Sequence, residues 1–518
     1  MSEEKLVPKL RFLEFTKVWK STKIGEIADI VGGGTPRTEV EEYWDGEIKW
    51  FTPSEIGKTK YIFDSKRHIT DKGLKNSSAK LLPKDTILLS SRATVGEISI
   101  ALTECSTNQG FQSLITKNNV DNDFIYYLIS TIKNEFLRRS SGSTFLEISK
   151  NEIKRIPINI PELSEQNKIS NLFSAIDNKI EMLEKKHQYY QDFKKYLMQR
   201  IFSSQDDKLR FADSDSCWKE ISLKDIGTFY RGHSYNSTNV ADEGLLVLRS
   251  NNIQSNVLDF SEDGLQFVDK DCKKELELQK NDIVICMSNG TRRLVGKSAE
   301  YTGNYENKVT VGAFCSIFRT KNKLAKYLFQ TESYKKNLYL ILAGTNINNL
   351  KNSDLEKFNF NIPTNESEIN KIHDLFVSID NKMDYNKKQL EEITLFKKGL
   401  LQQMFVVRIN WRCNFKLAKS PSFNKHLLIL KNKIIFIIIE LIIGDLFMKI
   451  EKDAENILNK FSKTLENIPD LEETWYITDN LNLTREDKSH EKHPEKILRN
   501  AHIDKEGKLV VKRADWVN

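Results

Sequence analysis

The chain has 518 residues, enough for three or four domains, and its 39% hydrophobic and 29% charged residues are ordinary globular usage, which excludes the disordered and fibrous classes. Its net charge of +7, from 79 basic and 72 acidic residues, is compatible with nucleic-acid binding but does not establish it, because affinity comes from a clustered basic face rather than from the sum. Cys105, Cys217, Cys272, Cys286, Cys315 and Cys413 form no CxxC pair, so reduced thiols in a cytosol are expected. Met1-Ser2-Glu3-Glu4-Lys5 leads into no apolar stretch, so no secretory signal is expected either.

The chain repeats itself. Lys9-Leu10-Arg11-Phe12 returns as Lys208-Leu209-Arg210-Phe211, and Trp19-Lys20 as Trp218-Lys219, at 208 − 9 = 199. Further on, Glu165, Asn167-Lys168-Ile169, Leu172-Phe173 and Ile176-Asp177-Asn178-Lys179 return as Glu368, Asn370-Lys371-Ile372, Leu375-Phe376 and Ile379-Asp380-Asn381-Lys382, at 380 − 177 = 203. A period this long is a tandem domain duplication, not a solenoid, whose units run to roughly 20–50 residues. Between Ile27 and Arg155, and between Ile226 and Lys357, the copies share little. The repeated parts therefore read as scaffold and the divergent parts as two different readers.

Residues 20–160 read as mixed α/β. Thr86-Ile87-Leu88-Leu89 and Ile98-Ser99-Ile100 have the look of strands, and Asp123 to Arg139 that of a helix. The Gly32-Gly33-Gly34-Thr35-Pro36 turn allows close backbone approach to a ligand, or is simply a tight surface turn. Arginine pairs with guanine, and asparagine or glutamine with adenine, so polar and basic stretches are candidate base or phosphate contacts. In this region they supply Gly34, Thr35 and Arg37, then Ser91, Arg92, Asn108 and Gln109, then Arg138, Arg139 and Ser143.

A long helix closes the first copy. Ser164 is the expected N-cap, after Pro161. Ile169, Ile176, Leu183, Tyr190 and Leu197 recur every seven residues, with Phe173 and Ile180 four places on. The second helix, with Ser367 as its expected N-cap after Pro363, carries Ile372, Ile379, Ile393 and Leu400 on the same beat and Phe376, Met383 and Leu390 four places on. A heptad sustained this long predicts a left-handed coiled coil, and the polar seam residues His187, Lys194, Asn386 and Lys397 suit helices that pair in one register. About 37 residues make a rod of roughly 55 Å. That spans about 16 base pairs at 3.4 Å per step. Between the two helices lies the second variable region. It offers Arg231, Arg249, Asn251 and Asn252, then Asn289, Thr291, Arg292 and Arg293, then Thr345 and Asn346.

Gly290 to Ser298 imitates a phosphate-binding loop but has five residues between its glycines where the motif needs four. No HExxH, GxGxxG, GxSxG or Asn-Pro-Pro-aromatic motif is present, so the chain reads as a binder and not an enzyme.

Taken together, the duplicated Trp-Lys opening, the Ile-Pro exits, the Glu-x-Asn-Lys-Ile helices, and the closing Leu-Met-Gln-Arg-Ile-Phe (197–202) and Leu-Leu-Gln-Gln-Met-Phe (400–405) sequences resemble the specificity subunit of type I restriction-modification systems over residues 1–406. The resemblance implies an α+β fold: two α/β target recognition domains separated by two long helices that pair as an antiparallel coiled coil, with a small helical and extended C-terminal appendage. The expected boundaries are 1–161 and 206–363 for the recognition domains and 162–205 and 364–406 for the spacer helices. It further implies that each domain reads half of a bipartite site on double-stranded DNA, that the helices set the unread gap, and that two methyltransferase subunits and motor-nuclease subunits join in the cytoplasm. S-adenosylmethionine, ATP and Mg²⁺ would then belong to those partners, and no cofactor to this chain. Two other readings stand beside it, a coiled-coil assembly module whose domains bind proteins, and a role carried by the tail.

The tail departs from that pattern after Phe405. Residues 407–447 form an apolar linker whose Ile, Lys, Asn and Phe usage resembles translated intergenic DNA, and Lys431, Lys433 and Glu440 interrupt 427–447 as a membrane span. From Met448 the chain reads as a separate small protein, opening on an amphipathic helix from Lys449 to Asn467. Leu471 to Tyr476, Thr484 to Asp487 and the basic end resemble the archaeal form of the small, non-catalytic C-type component of the tRNA-dependent amidotransferase. Two adjacent genes joined through a lost stop codon, or read as one by an error in the gene boundary, would account for the fusion.

Overall fold

The computed structural model describes residues 6–142, 146–203, 209–211, 217–343 and 348–406. The chain divides into two compact units, 1–414 and 415–518. The expected linker, apolar stretch and amidotransferase-like segment all lie outside the described residues.

Each half is tied shut by its own ends. Lys20–Lys23 pairs antiparallel with Pro157–Ile160, and Trp218–Ser222 with Asn359–Pro363, so the Ile-Pro exits are the ends of closing strands. Inside this frame the two variable regions, so unlike in sequence, share a strand order, the first adding Tyr61–Ile62 to one sheet and the second Val240–Ala241 to the other. The first domain's larger sheet runs Ala28–Gly32, Gln112–Thr116, Ile87–Leu89, Ile98–Ala101 and Tyr61–Ile62. The matching sheet of the second domain runs Gly227–Arg231, Cys315–Thr320, Ile283–Cys286 and Ser298–Glu300. Another sheet sets Trp44–Phe51 between Arg67–Ile69 and the parallel strand Cys105–Thr107; Leu245–Leu248 sits in the same way between Phe267–Val268 and Val309–Val311.

The physical reasons repeat as well. Ile87-Leu88-Leu89 and Ile283-Val284-Ile285-Cys286 are unbroken apolar runs buried on both faces, as a central strand covered on two sides requires. Each is preceded by a residue in the left-handed region, Asp85 (φ 67°) and Asn281 (φ 73°), the side-chain types that tolerate it best after glycine. Their amides donate to Ala101 O and Tyr301 O, each at 2.8 Å. The glycine turn repeats at one position: a Cβ on Gly33 would lie 2.1 Å from Asn108 O, and one on Gly232 the same distance from Gly312 O. Glycine is needed there so that the chain can approach itself.

The expected helix over Asp123 to Arg139 is two helices, Asn122–Thr131 and Lys133–Arg138, broken at Ile132 (φ −109°, ψ 17°). The Ser130 and Thr131 hydroxyls donate to Tyr127 O and Leu128 O, the local competition that weakens a helix end.

The spacer helices run Leu163–Ile201 and Glu366–Met404, 39 residues each, or roughly 58 Å. Neither expected cap is one. Ser164 turns its hydroxyl to Glu162 Oε1 (3.3 Å), and Glu162 is the N-cap through its carbonyl. In the second helix Asn365 Oδ1 accepts from the Ser367 amide (2.8 Å). The helices pair antiparallel: Lys194 Nζ meets Asp380 Oδ1 at 2.7 Å and Lys397 Nζ meets Asp177 Oδ1 at 2.5 Å. Because 194 + 380 = 177 + 397 = 574, the two ion pairs are exchanged by a pseudo-two-fold axis. Ile169, Phe173, Ile176, Leu183, Tyr190, Leu197, Ile372, Phe376, Ile379 and Leu400 are buried, and Ile180, Met383, Leu390 and Ile393 are half-buried.

The repeated Lys-Leu-Arg-Phe segments close the arrangement. Leu209 N donates to Arg200 O at the end of the first helix (3.1 Å), and Leu10 N donates to Gln403 O at the end of the second (3.0 Å). Phe405 then packs against Phe173 (5.9 Å between ring centroids), as Phe202 does against Phe376 (6.1 Å). Trp19 Nε1 donates to Glu165 (3.2 Å) and Trp218 Nε1 to Glu368 (3.1 Å), giving each buried carboxylate a partner.

Candidate nucleic-acid interface

Three loops follow corresponding strands and gather at one end of each domain. Matching backbone hydrogen bonds set the correspondence. Asn108 N donates to Phe51 O (3.1 Å) as Gly312 N does to Leu248 O (2.9 Å), and Ser91 N donates to Gly110 O (2.8 Å) as Met287 N does to Phe314 O (2.8 Å). Ile148 N donates to Ser91 O (2.9 Å) as Leu350 N does to Met287 O (2.7 Å).

In the first domain these loops bring Arg92, Asn108 and Gln109 around a hollow of about 410 Å³, with Pro53, Ser54, Ala93, Thr94 and Gly110. Thr35 donates to Gln109 Oε1, which places it at the same edge. Arg92 and Gln109 are exposed, and Arg92 stands 3.9 Å from Glu147. Asn108 Oδ1 accepts from Gly110 N (2.9 Å). Arg138 pairs with Glu135 (2.7 Å), and Arg139 with Glu152 (3.3 Å), so both arginines are already matched by carboxylates. Arg37 is exposed.

Gly34 and Ser91 are turned into the domain. Gly34 is buried, its amide on Thr107 O (2.8 Å) and its carbonyl under Trp50 Nε1 (2.9 Å), so both of its backbone groups are spent inside the fold. Ser91 is buried with both backbone groups bonded. Ser143 lies outside the described residues.

In the second domain Ser250, between Arg249 and Asn251, meets the loop from Ser288 to Arg293. Asn289 Nδ2 donates to Ser250 Oγ (3.1 Å) while its Oδ1 accepts from Thr291 N (2.9 Å). Asn251, Thr291, Arg292 and Arg293 are exposed, and Arg249 is half-buried. Arg231 is exposed at the end of its strand. Asn252 is buried, donating to Asp259 O and Gly264 O and accepting from Arg249 N, so its amide holds the loop instead of facing out. Thr345 and Asn346 lie outside the described residues. His233, where the first domain has Gly34, is buried, and desolvation lowers its pKa and favours the neutral ring.

Lys297, the lysine of the phosphate-loop look-alike, donates to Ile253 O (2.7 Å) and so is occupied by backbone. A larger hollow of about 1090 Å³, lined in part by Met198, Phe202, Leu340 and Phe360, shares no residue with either loop cluster. Among the described residues no group of three or more His, Cys, Asp and Glu could hold a metal ion, and no helix is long and apolar enough to cross a membrane. Sequence reasoning missed Pro53 and Ser54, whose position after a strand is tertiary information. It also missed the aspartates facing the seam lysines, although each lysine follows its helix's own aspartate by the same step, 194 − 177 = 397 − 380 = 17.

Two domains of one topology, presenting dissimilar polar loops from a shared helix pair, define a two-site binding scaffold. The model of the type I restriction modification DNA specificity domain matches the chain twice, at residues 16–189 and 215–395, and the chain belongs to that family. The specificity subunit of the type I restriction enzyme MjaIX of Methanocaldococcus jannaschii is 40% identical over 176 residues, covering 33% of this chain and 41% of that one. The MjaVIII specificity subunit of the same organism is 23% identical over 411 residues, covering 76% and 93%. The chain thus spans less than half of the first relative and most of the second. The solved S subunit of a type I restriction-modification system from M. genitalium has the same fold, with a TM-score of 0.52 at 18% identity over 77% of this chain and 99% of that one. A separate stretch is 45% identical over 74 residues to the C-type component of the probable glutamyl-tRNA(Gln) amidotransferase of M. jannaschii, covering 13% of this chain and 90% of that one, and through it the chain carries a segment of that component's family as well.

Proposed function

We propose that the chain is the DNA-reading subunit of a type I restriction-modification complex in the cytoplasm, each α/β domain reading one half of a bipartite duplex target and the spacer helices setting the gap. The observation that carries this is the pair of loop clusters. They occupy corresponding strand ends, they are rich in Arg, Asn, Gln and Thr, and they differ in residues, as readers of two half-sites must. Two readers on one stiff frame gain affinity together only when both half-sites lie at the frame's spacing. The reciprocal ion pairs support a single register and hence a single spacing. The chain contributes no catalytic group on this reading. Two methyltransferase subunits would dock on the helices and motor-nuclease subunits would join them, bringing S-adenosylmethionine, ATP and Mg²⁺.

The test is single-molecule methylome sequencing of a host expressing the full chain with its cognate methyltransferase subunit, against the methyltransferase alone. Methylation at one bipartite motif with a fixed gap, present only with this chain, is expected. A soluble complex that adds no methylation would sink the proposal in favour of a protein-assembly module.

For the C-terminal segment the amidotransferase match supports a second role, as a component of a tRNA-dependent amidotransferase. Native mass measurement separates the cases. A single polypeptide of 60.2 kDa makes the two segments one protein, and two shorter products make them neighbours.

A further inference from the structure

The first domain's hollow is floored by Gly110, and the backbone correspondence puts Phe314 in that place in the second domain. The residues before it change too: Asn108 and Gln109 stand where the second domain has Gly312 and Ala313. A concavity in one reader is thus an apolar projection in the other. Phe314 is 69% exposed, unusual for a phenylalanine on a backbone held this firmly. Its carbonyl accepts from both Met287 N (2.8 Å) and Ser288 N (3.2 Å), and Cys315 N closes the turn onto Gly312 O (2.8 Å). The neighbouring loops carry Arg249 and the exposed Asn251, side chains of the types that pair with base edges in the major groove. In that groove the apolar feature available to a phenyl ring is the 5-methyl group of thymine.

We propose that Phe314 reads a thymine by apolar contact with its 5-methyl group; the inference rests on the DNA-reading function proposed above. A wedge between stacked bases is the other use of such a ring, but it belongs to minor-groove binders and would act with little regard for the methyl.

The experiment uses the complex of the full chain with its cognate methyltransferase subunit. Once methylome sequencing has defined the motif, binding is measured on duplexes carrying deoxyuridine in place of each thymine of both half-sites, one at a time. Wild-type complex is expected to lose roughly three- to five-fold in affinity at one position, the effect of removing one buried methyl. Phe314→Ala should lose about as much on the thymine duplex and nothing more on the uracil one, while Phe314→Leu keeps most of the discrimination. That coupling is not produced by a structural role. Wild-type indifference to uracil everywhere, a motif without thymine, or a Phe314→Ala complex weakened equally on all sequences or unable to assemble would overturn the inference alone. A soluble complex giving no bipartite methylation would overturn the DNA-reading function with it.

Discussion

The two α/β domains differ most where they project and least where they are buried. Ile87–Leu89 and Ile283–Cys286, or Asp85 and Asn281, do the same work with different residues, whereas Gly110 and Phe314 stand on matching backbone and present opposite surfaces. Burial constrains only polarity and rough volume, so a core drifts in sequence while keeping its topology. A projecting side chain is constrained by what it touches, and two different targets pull it in two directions.

The strongest test of the shared frame is in the spacers. Phe173 and Phe376 are wholly buried, each against a tyrosine (Tyr127 at 5.0 Å, Tyr327 at 4.7 Å) and the closing phenylalanine of a helix end. Phe173→Ala and Phe376→Ala should each cost about 3–5 kcal/mol. Chemical denaturation checks this, and unequal losses would break the equivalence of the two halves.

A second comparison separates the Trp-Glu contacts. Arg11 makes a two-pronged ion pair with Glu165 (2.7 Å each), whereas the Arg210 guanidinium sits over the Trp218 ring at 3.5 Å. Arg11 is driven above its ordinary pKa by Glu165, and Arg210 is pushed below its own by burial. Glu165→Gln should therefore destabilise more than Glu368→Gln, by roughly 1–3 kcal/mol, because it strands a half-buried guanidinium. Equal melting curves for the two variants would sink that distinction.

The loop clusters sharpen the comparison at the level of target. Arg92→Ala is expected to relax one half-site and Asn251→Ala the other, each by about 1–3 kcal/mol of discrimination. Methylome motifs relaxed in both halves by either substitution would contradict one reader per domain. The smallest effect is chemical. Burial pushes the Cys105 and Cys315 thiols up to about 12 and raises Cys286, while Cys217 is exposed. Brief alkylation of the native protein followed by mass spectrometry should label Cys217 and spare those three.

Sequence by itself determined the duplication, the two long helices with their seam and the family, because periodicity and repeated motifs are local records that survive without coordinates. Even its errors there were small: the caps moved to Glu162 and Asn365, and one helix split at Ile132. The common strand order of the two variable regions was invisible, since it rests on pairings between residues such as Phe51 and Asn108 that no short window contains. Only the tertiary structure sorted the candidate readers, burying Gly34, Ser91 and Asn252 and gathering Thr35, Arg92, Asn108 and Gln109. Residue type says what a side chain can bond to; whether that capacity is spent inside the fold or left for a partner depends on which distant segments come to lie beside it.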